Sequence, residues 1–257
     1  NLKVALFLFS TNACLLFAYE KYSSIRVWDP DIEKIQIIQE IGIPLDHSTF
    51  KPGEYIEFIV AEKEKEILLN RGIDFDIIID NLTKYYQEQN IPAIERDFPL
   101  GSMQGNYTWL ELNERFDQLR NLYPDIISDR LIIGESLEGH DIWAFKLSDN
   151  PDQDENEPQV LYTGLTHARE PLSMMNLFYF IQNICENYVA GNDSEATYLV
   201  NERELWFIPV VNPDGYIYNE LIAPDGGGMH RKNRRDTGCG SGTEQGVDIN
   251  RNYGFNW

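Results

Sequence analysis

The sequence predicts an α/β fold, a mixed sheet flanked by helices, preceded by a small βαβαβ module. Three observations carry that prediction. Strand-like and helix-like hydrophobic periods alternate along most of the chain, the pattern of sheet and helix layers sharing a core. Between Gln87 and Gly105 the periodicity fades while Pro92, Pro99, Gly101 and Gly105 cluster, so the chain divides there. A length of 257 residues with 42% hydrophobic and 25% charged side chains is ordinary globular composition and suffices for one large domain or two modest ones. The expected organisation is a leader over 1–20, an α/β module over 21–90, a linker over 91–105 and a second domain over 106–257.

Each element has its own signal. Leu2 to Ala18 is apolar except for Lys3, Ser10, Thr11 and Asn12, then gives way to Glu20 and Lys21. A basic residue ahead of a short apolar run reads as an export signal, which predicts an extracellular or periplasmic protein, with a buried strand pair as the alternative. The run is too short and too interrupted for stable membrane insertion. Ile25 and Val27 predict a strand, and Ile32, Ile35 and Ile38 recur at helical spacing until Gly42 offers a stop. Ile56, Phe58 and Val60 alternate with Tyr55, Glu57 and Ile59 as in a half-exposed strand, followed by a charged helix from Glu62 to Asn70 and a strand from Phe75 to Ile79.

In the second domain Thr108 can cap a helix and Glu111 completes a capping box, with Leu112, Phe116, Leu119 and Tyr123 on one face and Pro124 as the stop. Leu131–Ile133 and Ile142–Leu147 predict two strands around the turn-rich Glu135–Gly139. Val160 to Leu165 predicts a buried strand, and Pro171 opens a long helix carrying Met174, Phe178, Ile181, Cys185 and Tyr188 on one side. Leu205 to Val211 predicts another strand, closed by a turn at Asn212-Pro213-Asp214-Gly215. Sites in such sheets gather where strands end and loops begin.

The formal charge of -21 would repel phosphate backbones and acidic membranes, which argues against nucleic-acid partners. Three cysteines define no disulfide framework. Cys14 falls in the leader and Cys185 on an apolar helix face. Cys239 lies in a glycine-rich loop, where an oxidising compartment would let it pair with a cysteine outside this sequence.

The chemistry concentrates in Thr166-His167-Ala168-Arg169-Glu170-Pro171, between a strand and a helix start. An imidazole and a carboxylate three positions apart on one turn can reach a single zinc ion. With only four histidines in the chain, that pair alone is equally readable as a loop histidine with a hydrogen-bond partner. Arg231 to Arg235 alone reads as a solvated basic loop, and Asn250-Arg251 as a turn. Asp149, Asp152, Asp154, Glu155 and Glu157 crowd into one loop, which suits either calcium or a hydrated acidic surface.

Five segments taken together are far more specific: Gly134 to Trp143, His167 to Pro171, Pro209 to Gly215, His230 to Arg234, and Gly246 to Tyr253. In that order they resemble the M14 zinc metallocarboxypeptidase family, its bacterial carboxypeptidase T branch in particular, from about Tyr107 to Trp257. The resemblance implies a zinc-dependent exopeptidase that removes C-terminal residues from peptides and proteins. It makes His167 and Glu170 the first two zinc ligands and Arg231 the catalytic arginine that polarises the scissile carbonyl. Asn250 and Arg251 would grip the substrate's terminal carboxylate, a task a planar guanidinium fork suits. Arg169 would bind substrate further from its terminus, and Asp248 would orient the loop.

Calcium ligation by Asp154, Glu155 and Glu157 is implied by the same resemblance, although Gln159 stands where that pattern carries another acid. The family's third zinc ligand, its general-base glutamate and the tyrosine that closes over substrate have no counterpart before Trp257. The expectation is therefore an incomplete peptidase domain, inactive on its own, behind a propeptide-like or accessory module. Two alternatives differ in function: a related zinc amidohydrolase acting on cell-wall peptides or acylated amino acids, and a noncatalytic module that binds peptide termini.

Overall fold

A computed structural model describes residues 21–45, 47–88, 98–238 and 245–254. The expected leader, most of the linker, Cys14 and Cys239 lie outside them.

The amino-terminal module forms where its periodicities predict. β1 (Tyr22–Trp28) and β3 (Tyr55–Ala61) pair antiparallel with Ile25 opposite Phe58 and Val27 opposite Ile56, so one face of the sheet is apolar. α1 (Ile32–Ile41) starts where Asp31 accepts a hydrogen bond from the Lys34 N–H at 2.8 Å and stops at Gly42, which takes the left-handed conformation. α2 (Glu62–Asn70) opens with the Glu64 carboxylate accepting from the Ala61 N–H at 2.7 Å. Ile38 and Leu68 from these helices bury against Ile25, Ile56 and Phe58. β4 (Asp76–Ile79) completes the expected elements, and α3 (Leu82–Glu88) comes after it.

The βαβαβ reading needs one addition, a short β2 (Thr49–Lys51) that pairs with β3 and gives an antiparallel sheet ordered β2-β3-β1-β4. All three residues of β2 are exposed, so no inward-outward alternation announced it.

In the second part α4 (Trp109–Leu122) carries the predicted capping box. Thr108 Oγ1 accepts from the Glu111 N–H at 3.2 Å, and Glu111 accepts from the Thr108 N–H at 2.8 Å. β5 (Leu131–Glu135) and β6 (Asp141–Leu147) form a hairpin, and β7 (Gln159–Thr163) leads through the site loop into α5 (Pro171–Ala190). α6 (Ser194–Glu202), not foreseen, precedes β8 (Glu204–Ile208). The sheet order is β5-β6-β8-β7, with β7 and β8 parallel and the other pairs antiparallel, so the expected mixed sheet is present. Phe178, Ile181 and Cys185 of α5 pack on Phe145, Leu205 and Phe207 in one core. Leu161 and Trp206 lie on the sheet face opposite Tyr162 and Phe207, and there Leu131 and Leu161 are 53% and 60% exposed.

Two predicted strands end early and one predicted turn is something else. β7 stops at Thr163 because Gly164 and Leu165 turn the chain, and β8 stops at Ile208. Asn212 is the cap of α7 (Pro213–Ile222), its Oδ1 accepting from the Gly215 N–H at 3.1 Å. Asn-Pro-Asp-Gly serves a tight turn and a capped first helical turn equally well; Tyr216 and Asn219, on a buried face, decide for the helix.

The acidic loop is anchored by one buried ion pair. Lys146 Nζ lies 2.7 Å from Glu204 Oε1, both side chains almost fully buried. Glu204 also accepts from the Glu155 N–H at 3.0 Å and Gln159 Nε2 at 2.6 Å. Glu204→Ala should therefore lower the unfolding free energy by about 3–5 kcal/mol, since it strands a buried ammonium. Burial opposes ionisation of Glu204, but Lys146 and the two donors outweigh it and hold the carboxyl below its ordinary value of 4.5. A depressed folded value means that this contribution is present above pH 4.5 and lost as pH falls through the lower folded value. Chemical denaturation of wild type and variant across that range checks both statements: the variant's deficit should shrink as the medium is acidified.

Candidate metal centre and substrate cleft

The centre lies at the carboxyl ends of the parallel strands β7 and β8, where their loops are free to diverge from the sheet. A side chain at Gly164 would place its Cβ 2.5 Å from the Pro209 carbonyl oxygen, so the two loops can approach only at a glycine. Leu165 then adopts a left-handed φ of 49°, a conformation that costs a non-glycine residue roughly 1–2 kcal/mol. It is held by its N–H donating to Ser173 Oγ at 2.9 Å and its carbonyl accepting from the Asn212 N–H at 3.1 Å. That turn sends His167 back beneath α5, whose N-cap is Glu170.

His167 Nδ1 stands 3.0 Å from Glu170 Oε1. Two donors bound to one tetrahedral zinc at about 2.0–2.1 Å are about 3.3 Å apart, so the pair fits such an ion with little movement. On the other edge of the ring, Nε2 is buried and lies 3.3 Å from Asp248 Oδ1, without the alignment of a good hydrogen bond. Asp248 Oδ2 accepts from Arg231 Nε at 2.8 Å, and Arg231 Nη1 lies 3.6 Å from Glu170 Oε1. His167, Glu170, Asp248 and Arg231 thus close a ring of alternating charge.

Burial disfavours charge on His167, yet Asp248 and Glu170 overcome it and raise its pKa. Burial likewise works against ionised Glu170 and Asp248; His167 and Arg231 prevail and lower both, Asp248 strongly.

Three asparagines hold these loops together. Asn219, on the unforeseen α7, donates through Nδ2 to the Ala168 and His230 carbonyls at 3.0 and 2.8 Å, and its Oδ1 accepts from the His230 N–H. Asn212 Nδ2 donates to the Lys232 carbonyl at 3.0 Å. Asn233 exchanges hydrogen bonds with Val247, tying the segment of Arg231 to that of Asp248. At Gly246 φ is 106° and a Cβ would lie 1.8 Å from the Asn233 carbonyl oxygen, so that crossing needs glycine.

Of the other predicted residues, Arg169 lies with Arg231 and Lys232 along a cleft of about 440 Å³ whose opposite wall is Ile41, Ile59 and Ile67 of the amino-terminal module. Asn250 and Arg251 sit on a 3-10 turn that Asp248 opens by accepting from the Asn250 N–H at 3.0 Å. Both are exposed. The calcium expectation finds no support: among the described residues no three carboxylates of the Asp149–Glu157 loop converge. Glu155 instead meets Asn150 and Glu204.

Sequence reasoning passed over His47, whose Nε2 lies 2.8 Å from Glu170 Oε1. Nothing in its local sequence marks it. A second cluster, Glu138, His140 and Asp214, is explained by structure, since Asp214 accepts from Ser136 Oγ and from the Glu138 N–H to join the β5–β6 turn to α7.

Comparison with known proteins finds relatives in one family. A family model described as zinc carboxypeptidase matches residues 112–257. A zinc carboxypeptidase of Saccharothrix mutabilis subsp. capreolus is 39% identical over 163 residues, covering 63% of this chain and 35% of that protein. The inactive metallocarboxypeptidase ECM14 of Saccharomyces cerevisiae is 27% identical over 256 residues, covering 93% of this chain and 55% of that protein. The crystal structure of carboxypeptidase A from Helicoverpa armigera shares the fold with a TM-score of 0.70 at 22% identity, over 93% of this chain and 59% of that one. The chain thus spans between about a third and three fifths of these relatives' lengths.

Proposed function

The chain belongs to the zinc carboxypeptidase family, and from that premise we propose that the protein it comes from is a zinc-dependent exopeptidase releasing C-terminal residues from peptides. The observation that carries the reading is the convergence of His167 Nδ1 and Glu170 Oε1 at 3.0 Å with Asp248 behind the imidazole.

Zinc, when bound, supplies Lewis acidity toward the scissile carbonyl and the attacking water. The chain's own residues prepare the place. Asp248 faces Nε2 and favours a proton there, which would leave Nδ1 to hold the ion with Glu170, as when a carboxylate orients a ligating histidine. Asp248 also fixes Arg231, whose guanidinium lines the cleft and stabilises negative charge as it grows on the carbonyl oxygen. Asn250 and Arg251 bind the terminal carboxylate, and Arg169 a residue upstream. The leader over 1–20 directs export, and the module over 21–90 acts as a propeptide or accessory domain.

The test is hydrolysis by the whole protein of a peptide with a free C-terminus and of its amidated twin. Chelator-sensitive release of the last residue from the free acid alone is expected; cleavage of both peptides at an internal bond would overturn the assignment. A noncatalytic terminus-binding role is the second reading, favoured by the similarity to a relative described as inactive. Binding of the free acid without any turnover would select it.

A further inference from the structure

We propose that His47 is a metal ligand, delivered by the amino-terminal module to the ion that His167 and Glu170 hold. The proposal rests on the zinc reading of that pair given above and adds the module to it.

The geometry is that of a three-donor set. His47 Nε2 and His167 Nδ1 approach the same oxygen, Glu170 Oε1, at 2.8 and 3.0 Å. The ligand atoms of all three residues lie within 4.8 Å of one another. Donors sharing a tetrahedral zinc stand about 3.3 Å apart, so both nitrogen–oxygen separations fit a shared ion with adjustments of about half an ångström or less. The two imidazoles meet edge to face, centroids 5.9 Å apart at 90°, with a nitrogen of each directed at the carboxylate and no stacking of their π faces.

The module reaches this position by contacts that do not involve His47. Tyr22, Ala61 and Leu82 pack on Met229, next to the loop bearing Arg231, and Thr83 Oγ1 donates to the Gly227 carbonyl at 3.2 Å. Docking therefore brings His47 to the site as a consequence. His47 sits between α1 and β2, outside the module's own core, with 52% of its side chain exposed. From that position its imidazole faces the Glu170 carboxylate across the boundary between the module and the site loop.

The consequence is a latch. A catalytic zinc keeps one position open for water or substrate. While the module is docked, an imidazole nitrogen fills a position on the ion beside His167 and Glu170. Departure of the module vacates it. This is a coordinate-bond form of inhibition, distinct from covering the cleft mouth, and it makes metal affinity itself depend on the module.

The experiment uses the chain of residues 1–257, stripped with chelator, with Zn2+ and Co2+ alone as probes. Zn2+ affinity is measured by competition with a chromophoric chelator for wild type, His47→Ala and His167→Ala. Loss of a directly bound histidine should weaken Zn2+ binding at least about ten-fold, the lower bound for disturbing even a ligand's neighbour. A second variant, His47→Cys, supplies a positive signal: a thiolate bound to Co2+ gives an intense near-ultraviolet charge-transfer band that wild type lacks. Weakened binding in His47→Ala together with the band supports ligation. Loss of affinity without the band would make His47 a hydrogen-bonding neighbour and overturn the ligation. Wild-type affinity in His47→Ala with lost affinity in His167→Ala overturns the proposal but leaves the zinc pair intact. Unchanged affinity in His167→Ala removes the zinc reading, and this proposal with it.

Discussion

Glu170→Ala should weaken zinc binding by about a hundred-fold or more, and His167→Ala should do the same. Apparent zinc binding energies of roughly 10–16 kcal/mol, spread over four ligands, assign each about 3 kcal/mol. At about 1.4 kcal/mol per decade that is two orders of magnitude. Asp248→Asn should cost less, roughly ten- to a hundred-fold, because it leaves both ligands in place and removes only the carboxylate that orients His167 and Arg231. The graded order matters more than any single value. Equal, small losses in all three variants, measured by chelator competition, would mean that the ring of charges is a structural network with no ion at its centre.

Where burial and local chemistry coincide in one segment, the fold was legible. The capping box at Thr108 and Glu111, the left-handed glycine after α1 and the apolar face of α5 each predicted an element that formed at nearly the expected bounds. The elements that escaped were decided by partners distant in sequence. β2 is a strand only because β3 offers it an edge, and its own three residues are exposed. α7 hides behind an Asn-Pro-Asp-Gly turn signal whose asparagine proves to be a helix cap.

The site divides the same way. His167 and Glu170 are three residues apart on one turn, so short-range spacing was enough to pair them. Arg231 and Asp248 were separated from them in sequence, and only the ordered set of motifs linked all four. Asn219 could not have been found: an asparagine in the middle of an amphipathic segment is unremarkable until the Ala168 and His230 carbonyls are seen to converge on it. His47 is the extreme case, since its partner lies in another part of the fold. The acidic loop erred in the opposite direction. Its carboxylate density suggested an ion, whereas its anchor is Glu204, which pairs with Lys146.

In the whole protein, Arg231→Ala and Arg251→Ala should separate in kinetics. Arg251 is proposed to meet a carboxylate that is fully charged before any bond changes, so most of its contribution is already present in the ground-state complex. Losing a charge-assisted hydrogen-bond partner of that kind costs about 1.5–3 kcal/mol, so KM should rise roughly ten- to a hundred-fold with kcat little changed. Arg231 faces a different situation. It is buried, fixed through Nε by Asp248 and held near Glu170, so its guanidinium is aimed before substrate arrives. The charge it answers develops only as the carbonyl oxygen becomes an oxyanion, and removing such a donor lowers kcat by about 10²–10³. Amidating the substrate's terminus adds the internal control. It erases the charge that Arg251 recognises, so it should penalise wild type and Arg231→Ala far more than Arg251→Ala. Steady-state kinetics on both peptides with all three proteins reads every term, and equal amide discrimination in wild type and Arg251→Ala would remove the carboxylate clamp from the mechanism.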